Sequence, residues 1–288
     1  MFSIVYWLLT RRRAPSPQLV AVKPSIPPSS VDSPALFVTL VNHSTVLLQQ
    51  PNCNILTDPV WSERCGPVSF AGPRRHRLPG IEFDHLPSIH AVLLSHNHYD
   101  HLDLPTLRRL MARGGTIFVA PLGVGEFLKS RGIAPVQELD WGESVAVSGA
   151  MIHAVPAFHF SGRGLFDRNR TLWCGYLVEL ALGAVYFAGD TAFGPHFGWI
   201  RERFGPPRLA LLPIGAYEPR WFMAPVHMDP EEAARAHRIL GAAISIAIHH
   251  GTFQLADESL DAPRQRLMAC ALSDSFLILD NGQSLLLT

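Results

Sequence analysis

Short apolar runs set the rhythm of this chain, and most of them read as strands. Leu36-Phe37-Val38-Thr39-Leu40 and Thr45-Val46-Leu47-Leu48-Gln49 flank a turn at Asn42-His43, and Asn54-Ile55-Leu56-Thr57 is a third strand ending at Asp58-Pro59. Ala91-Val92-Leu93-Leu94-Ser95 follows as a buried strand, then residues 116–120, 145–147 and 151–155. Residues 171–180 and 184–188 predict a hairpin leading into Gly189-Asp190-Thr191, and 209–214 and 244–248 predict two more strands. Helical spacing is confined to fewer places. Leu104, Leu107, Leu110 and Met111 recur at helical intervals before Gly114-Gly115, and 123–130 is a short helix. Residues 230–240 form a helix with Asp229 as N-cap and Glu231-Glu232 in its first turn. Strands first, then helix–strand alternation, predict an α+β fold of two β-rich halves packed face to face with helices outside. No repeat of solenoid period interrupts this pattern.

Ahead of the strands the character of the chain changes. Residues 14–35 are rich in Pro and Ser and read as an extended arm. Phe2 to Leu9 is mostly apolar and is followed by Arg11-Arg12-Arg13. The charge lies on the wrong side for a signal peptide, and the run is far short of the ~20 residues that span a bilayer. It reads as a surface-packed tail or as an interfacial anchor. The division expected is an arm over 1–35 and one domain over 36–288.

Composition narrows the partners. Lys+Arg and Asp+Glu balance at 24 each in 288 residues, so bulk charge predicts no nucleic-acid partner, and no basic track is visible. Residues 66–80 carry Arg74, Arg75 and Arg77 among Gly and Pro and read as an exposed basic loop. Cys53, Cys65, Cys174 and Cys270 lack CxxC spacing, which argues against a disulfide scaffold or thiolate zinc site and for free thiols in a reducing, cytoplasmic setting.

The chemistry lies at the strand ends. His96-Asn97-His98-Tyr99-Asp100-His101 brings imidazoles and a carboxylate into one loop, a donor set suited to zinc. So many donors in one loop fit two adjacent metals better than one. Three other apolar strands end in a potential ligand: His159 after 152–158, Asp190 after 185–189, and His249 after 246–248. A lone His after a strand is more often structural; the whole set together is harder to dismiss. His153 lies six residues before His159 in extended chain, roughly 20 Å away, so both cannot serve one pair of metals. Neighbouring His249 and His250 point to opposite faces, and strand parity leaves the choice between them open. Asp58 is either an acceptor that orients a ligand imidazole or a turn-former before Pro59. His43 is a candidate for a place beneath the metals.

The motif Ser95 to Asp103 resembles the HxHxDH loop of the metallo-β-lactamase superfamily, whose fold is an αββα four-layer sandwich. More narrowly, the chain resembles the N-acyl-phosphatidylethanolamine-hydrolysing phospholipase D family. The matching segments are residues 56–59, 138–141, 187–191, 213–223 (PIGAYEPRWFM), 229–233 and 247–253 (AIHHGTF). The resemblance covers roughly residues 36–262. It implies that His96, His98 and His159 hold one zinc, that Asp100, His101 and His249 hold the other, and that Asp190 bridges them. His249 rather than His250 becomes the ligand, and His250 becomes pocket wall or second shell. His227 becomes an active-site group for substrate contact or leaving-group protonation. Tyr217, Trp221, Phe222 and Met223 become an acyl-chain pocket wall, with core packing as the bland alternative.

Two zinc ions would lower the pKa of a shared water towards neutrality and neutralise charge on a phosphoryl oxygen. Asp100, Asp190 and His227 would be the catalytic set. The implied reaction is hydrolysis of N-acyl-phosphatidylethanolamine to an N-acylethanolamine and phosphatidic acid. Residues 1–13 and Arg74 to Arg77 would meet the membrane peripherally, and an oligomer is compatible with this reading. The same centre on a lactone, a β-lactam or another phosphoester is the main competitor, because fold does not choose substrate. A silent metal-binding protein is disfavoured, since no ligand is missing.

Overall fold

The computed structural model describes residues 6–7, 9–15, 19–32, 34–272 and 274–288. Two seven-stranded sheets face each other. In the first, β1 (Leu36–Asn42), β2 (Thr45–Gln50) and β3 (Cys53–Thr57) run as an antiparallel meander. Beyond β3, three strands add in parallel: β4 (Ala91–Leu93), β5 (Ile117–Pro121) and β6 (Val136–Leu139). The second sheet begins with β7 (Ser144–Val147), β8 (Ala150–Val155), β9 (Gly175–Leu180) and β10 (Gly183–Phe187), all antiparallel. It continues in parallel through β11 (Leu209–Pro213), β12 (Ile244–Ile248) and β13 (Phe276–Leu277). The last strand, β14 (Ser284–Leu287), returns to the first sheet and pairs with β1.

Alternation along each strand creates the layers. Val46 and Leu48 of β2 and Ile55 of β3 point into a core shared with Val178, Val185, Leu211 and Ile246 of the opposite sheet. Their neighbours Leu47 and Leu56 point outward. There they meet helices α1 (Leu104–Arg113) and α2 (Val124–Lys129) through Leu107, Leu110, Val124 and Leu128. On the other side Ala210 and Leu212 face α3 (His196–Phe204) and α5 (Pro230–Leu240). The short α4 (Arg220–Met223) precedes α5, and α6 (Ala262–Ala269) follows it. The expected αββα sandwich is therefore the fold. The Asp229 cap closes a full box with Glu232, whose backbone N–H donates to Asp229 Oδ1 at 2.8 Å.

The basic loop departs from expectation. Arg75 is buried, not exposed. Its guanidinium donates to Asn42 Oδ1 at 3.1 Å, Val60 O at 2.9 Å and Ser62 O at 3.3 Å, tying the loop to the first sheet. Arg77 pairs with Asp261 at 3.3 Å, and Arg74 alone stays on the surface, paired with Glu63 at 2.7 Å. The bound carbonyls explain the inversion: a buried guanidinium is tolerated when its donors are satisfied. Arg75→Ala is expected to lower stability by about 3 kcal/mol, because those carbonyls lose their partner. Chemical denaturation of the two proteins checks this.

Of the apolar N-terminal run, residues 2–5 and 8 lie outside the described residues. Trp7 is buried against Phe222, the rings stacked at 5.3 Å, and its indole N–H donates to Asp257 Oδ2 at 2.9 Å. Arg11 binds the other oxygen of the same carboxylate at 3.2 Å. No helix among the described residues is long and apolar enough to cross a membrane.

Candidate metal centre

Both sheets deliver side chains to one edge, and a glycine lets them meet. Gly189 has φ +60°, and a Cβ there would lie 2.6 Å from Ser95 Cβ, so the loop after β10 can approach the loop after β4 only without a side chain. Pairing in β4 stops at Leu93, earlier than the apolar run suggests, and Leu94-Ser95 lift the His-rich segment off the sheet. Non-glycine residues His43 (φ 47°), Asp58 (φ 31°) and His249 (φ 58°) all adopt left-handed backbone here. Each such residue costs of order 1–3 kcal/mol, and such strain gathers at functional sites.

The side chains form two groups that share one carboxylate oxygen. In the first, His96 Nε2 lies 2.8 Å from His98 Nδ1, which lies 3.3 Å from His159 Nε2. In the second, Asp100 Oδ2 lies 3.2 Å from His101 Nε2 and 3.3 Å from His249 Nε2. Asp190 Oδ2 sits 3.1 Å from both His101 and His249, and 3.9 and 3.7 Å from His96 and His159. Ring nitrogens and carboxylate oxygens this close, with lone pairs converging, are a donor set for cations. Asp190 Oδ1 is buried without a hydrogen-bond partner among the described residues, which also fits a place for a cation.

Outer contacts fix the rings. Asp58 Oδ2 accepts from His101 Nδ1 at 2.6 Å and from the Ser95 hydroxyl at 2.5 Å, and Oδ1 accepts the Ser95 N–H at 2.7 Å. His159 Nδ1 donates to Val226 O at 2.9 Å, which directs Nε2 to the cluster. His43 lies at the cluster's edge, Nε2 3.1 Å from Asp100 Oδ2 and its ring 4.3 Å from that of His249.

Burial sets the electrostatics. It pushes His98 down to about 3 and His159 to about 4, so both rings are neutral and present lone pairs. Burial alone would raise Asp100 and Asp190, but the neighbouring His101 and His249 hold both well below the usual carboxylate range.

The remaining candidates divide. His227 joins the cluster, its Nδ1 3.9 Å from Asp190 Oδ2 and its ring 4.9 Å from that of His159. His250 lines a small cavity with Gly215, Gly251, Glu258 and Pro263, and burial with Arg77 and Arg264 nearby lowers it to about 4. Phe222 and Met223 pack with Trp7, Trp221 is exposed and edges onto Tyr6 at 5.7 Å, and Tyr217 lies buried beneath the Arg266 guanidinium. The four are linked to the cluster through α4, whose Met223 O accepts the His227 N–H at 2.8 Å. His153 lies apart beside Glu179 at 3.4 Å, as its spacing requires.

Sequence reasoning assigned no role to Ser95, whose hydroxyl joins Asp58 to His96 Nδ1 at 2.9 Å. It also passed over Phe160, whose ring lies 4.6 Å from that of His98 and 4.9 Å from that of His159. Ser95 stood in the motif itself. Glu258 was missed too; its carboxylate accepts the N–H groups of Ala216 at 2.6 Å and Glu218 at 3.1 Å, pinning the loop that leads to α4.

Two facing sheets with helices outside and a His/Asp cluster at their common edge define a metal-dependent hydrolase of the metallo-β-lactamase fold. Comparison agrees. Residues 53–250 match the beta-lactamase superfamily domain family. An uncharacterised protein of Mycobacterium tuberculosis is 41% identical over 93% of this chain and 73% of its own length. N-acyl-phosphatidylethanolamine-hydrolyzing phospholipase D 1 of Caenorhabditis elegans is 40% identical over 86% of this chain and 75% of that protein. Among solved structures, a metallo hydrolase of Ignicoccus hospitalis shares the fold at TM-score 0.65 and 22% identity, over 88% of this chain and 99% of that one. The chain belongs to the metallo-β-lactamase superfamily and, within it, to the family of N-acyl-phosphatidylethanolamine-hydrolysing phospholipases D.

Proposed function

We propose that this chain is a dinuclear zinc phosphodiesterase that cleaves N-acyl-phosphatidylethanolamine-type phospholipids to an N-acylethanolamine and phosphatidic acid. The observation that carries the reading is the division of the cluster into His96, His98 and His159 on one side and Asp100, His101 and His249 on the other, with Asp190 Oδ2 between them. Imidazole and carboxylate donors without thiolate suit zinc. The kinship with the nematode phospholipase supports the substrate class.

When bound, two zinc ions would supply a nucleophile at neutral pH and neutralise charge that develops on the phosphoryl group. The protein's own part is positional. Asp58 holds the N–H of His101 so that Nε2 faces the centre, and Val226 does the same for His159. His227 lies beside Asp190, its Nδ1 free of any hydrogen bond among the described residues, and in this reading it would contact the phosphoryl group or protonate the leaving alkoxide. Exposed Tyr6 and Leu9 leave apolar surface for peripheral membrane contact by the N-terminal segment, whereas buried Arg75 does not serve such contact.

A substrate panel tests the reading: zinc-loaded protein with N-acyl-phosphatidylethanolamine, a simple phosphodiester, a lactone and a β-lactam. The lipid is expected to be turned over fastest. Hydrolysis of the lactone or β-lactam with no turnover of the lipid would keep the centre and overturn the substrate.

A further inference from the structure

One segment beside the metal centre holds apolar side chains in water on a rigid frame. Residues 162–170 follow His159 and Phe160, and their tip carries Leu165 and Phe166. Each is 86% exposed, more than any other large apolar side chain among the described residues. The loop is braced. Asp167 accepts the N–H groups of Arg163 and Gly164 at 2.9 and 2.7 Å, and Asn169 N–H donates to Ser161 O at 2.9 Å. It is also fastened to the His-rich loop: Gly162 N–H donates to Asn97 Oδ1 at 2.8 Å, and the Arg163 guanidinium to Asn97 O at 2.7 Å and Leu102 O at 2.9 Å. The Tyr99 hydroxyl donates to Arg163 O at 2.9 Å.

Two cations follow this tip in the chain. Arg168 lies over the Phe160 ring at 4.1 Å, the ring that packs on His98 and His159. Arg168 and Arg170 are exposed, and neither pairs with a carboxylate among the described residues. Asp167, the one acid in the loop, spends its oxygens on backbone N–H groups.

We propose that this loop docks on a lipid bilayer, with Leu165 and Phe166 in the interface and Arg168 and Arg170 on anionic headgroup phosphates. Docking there would hold the bilayer against the loop that carries His96 to His101. The chemistry favours a bilayer over a protein surface. Two side chains on a narrow tip offer far less than the ~800 Å² per partner that a stable protein interface buries. They are nevertheless enough to enter an interface where aromatic and apolar groups gather beside phosphate-binding guanidinium groups. The inference rests on the lipid reading of the site.

The test is co-sedimentation of the full zinc-loaded chain with vesicles of phosphatidylcholine alone or with phosphatidylglycerol. Leu165→Ser/Phe166→Ser is expected to weaken partitioning on both vesicles roughly 100-fold, from the apolar area left in water. Arg168→Gln/Arg170→Gln is expected to weaken it about 30-fold on the anionic vesicles only. Melting temperature and zinc content serve as controls for folding, and these exposed sites should leave both unchanged. Unaltered partitioning of the apolar variant overturns the proposal. Loss of self-association in light scattering with vesicle binding intact also overturns it, in favour of a second copy of the chain. Because vesicle binding is read without turnover, a protein that docks through this loop but leaves N-acyl-phosphatidylethanolamine intact refutes the substrate and upholds the docking.

Discussion

Asp190→Asn should lower hydrolysis of every substrate by at least roughly 100-fold, since a neutral amide replaces a carboxylate that reaches both halves of the cluster. Oδ2 of Asp190 stands 3.1 Å from His101 and His249 and within 3.9 Å of His96 and His159. Asparagine keeps the shape and removes the charge, so folding is preserved while the proposed pair of cations would lose the anion between them. Zinc content should fall together with activity. Steady-state kinetics and elemental analysis on the same preparation check this. Full activity in the variant would mean that Asp190 does not bridge.

The second large effect is expected at Asp58, which is fully buried behind His101. Asp58→Ala removes the acceptor for His101 Nδ1 and for both donors of Ser95. The freed imidazole can then rotate or change tautomer, and losses of this kind cost about 10–100-fold in metal affinity. Asp58→Asn is the informative partner. It tolerates the left-handed backbone at φ 31° better than alanine does and keeps one acceptor, so it should recover part of the affinity. Competition with a chromophoric zinc chelator measures both variants. Equal affinity in wild type and Asp58→Ala would show that Asp58 is only a turn-former.

What the sequence made legible follows from locality. The order of strands and helices predicts two β-rich halves with helices outside, and the resemblance to the metallo-β-lactamase superfamily names the sandwich. Strands β2, β3 and β11 are apolar on both faces, so which face meets the other sheet and which meets the helices shows only in the structure. His159, Asp190 and His249 were visible because each ends an apolar run. The choice between His249 and His250 was not visible, since pairing stops at Ile248 and His249 turns into left-handed backbone, where strand parity no longer applies. Distant partners were equally hidden. Phe222 looked like a pocket wall, but the ring stacked on it belongs to Trp7, at the other end of the chain. Arg75 looked exposed, and Asn42 and Val60 bury it. Strand β14 pairs with β1 across nearly the full chain, and residues 171–174 read as strand but precede the paired segment Gly175–Leu180. The short α4 and the weakly amphipathic α6 carry too little periodicity to be seen.

The central claim is a two-metal centre, and counting metals tests it most directly. Elemental analysis of the purified chain, with His159→Ala and His249→Ala alongside, should find two zinc ions in the wild type and fewer in either variant, with activity falling in step. A fully active wild-type protein that holds one metal ion or none would contradict the account.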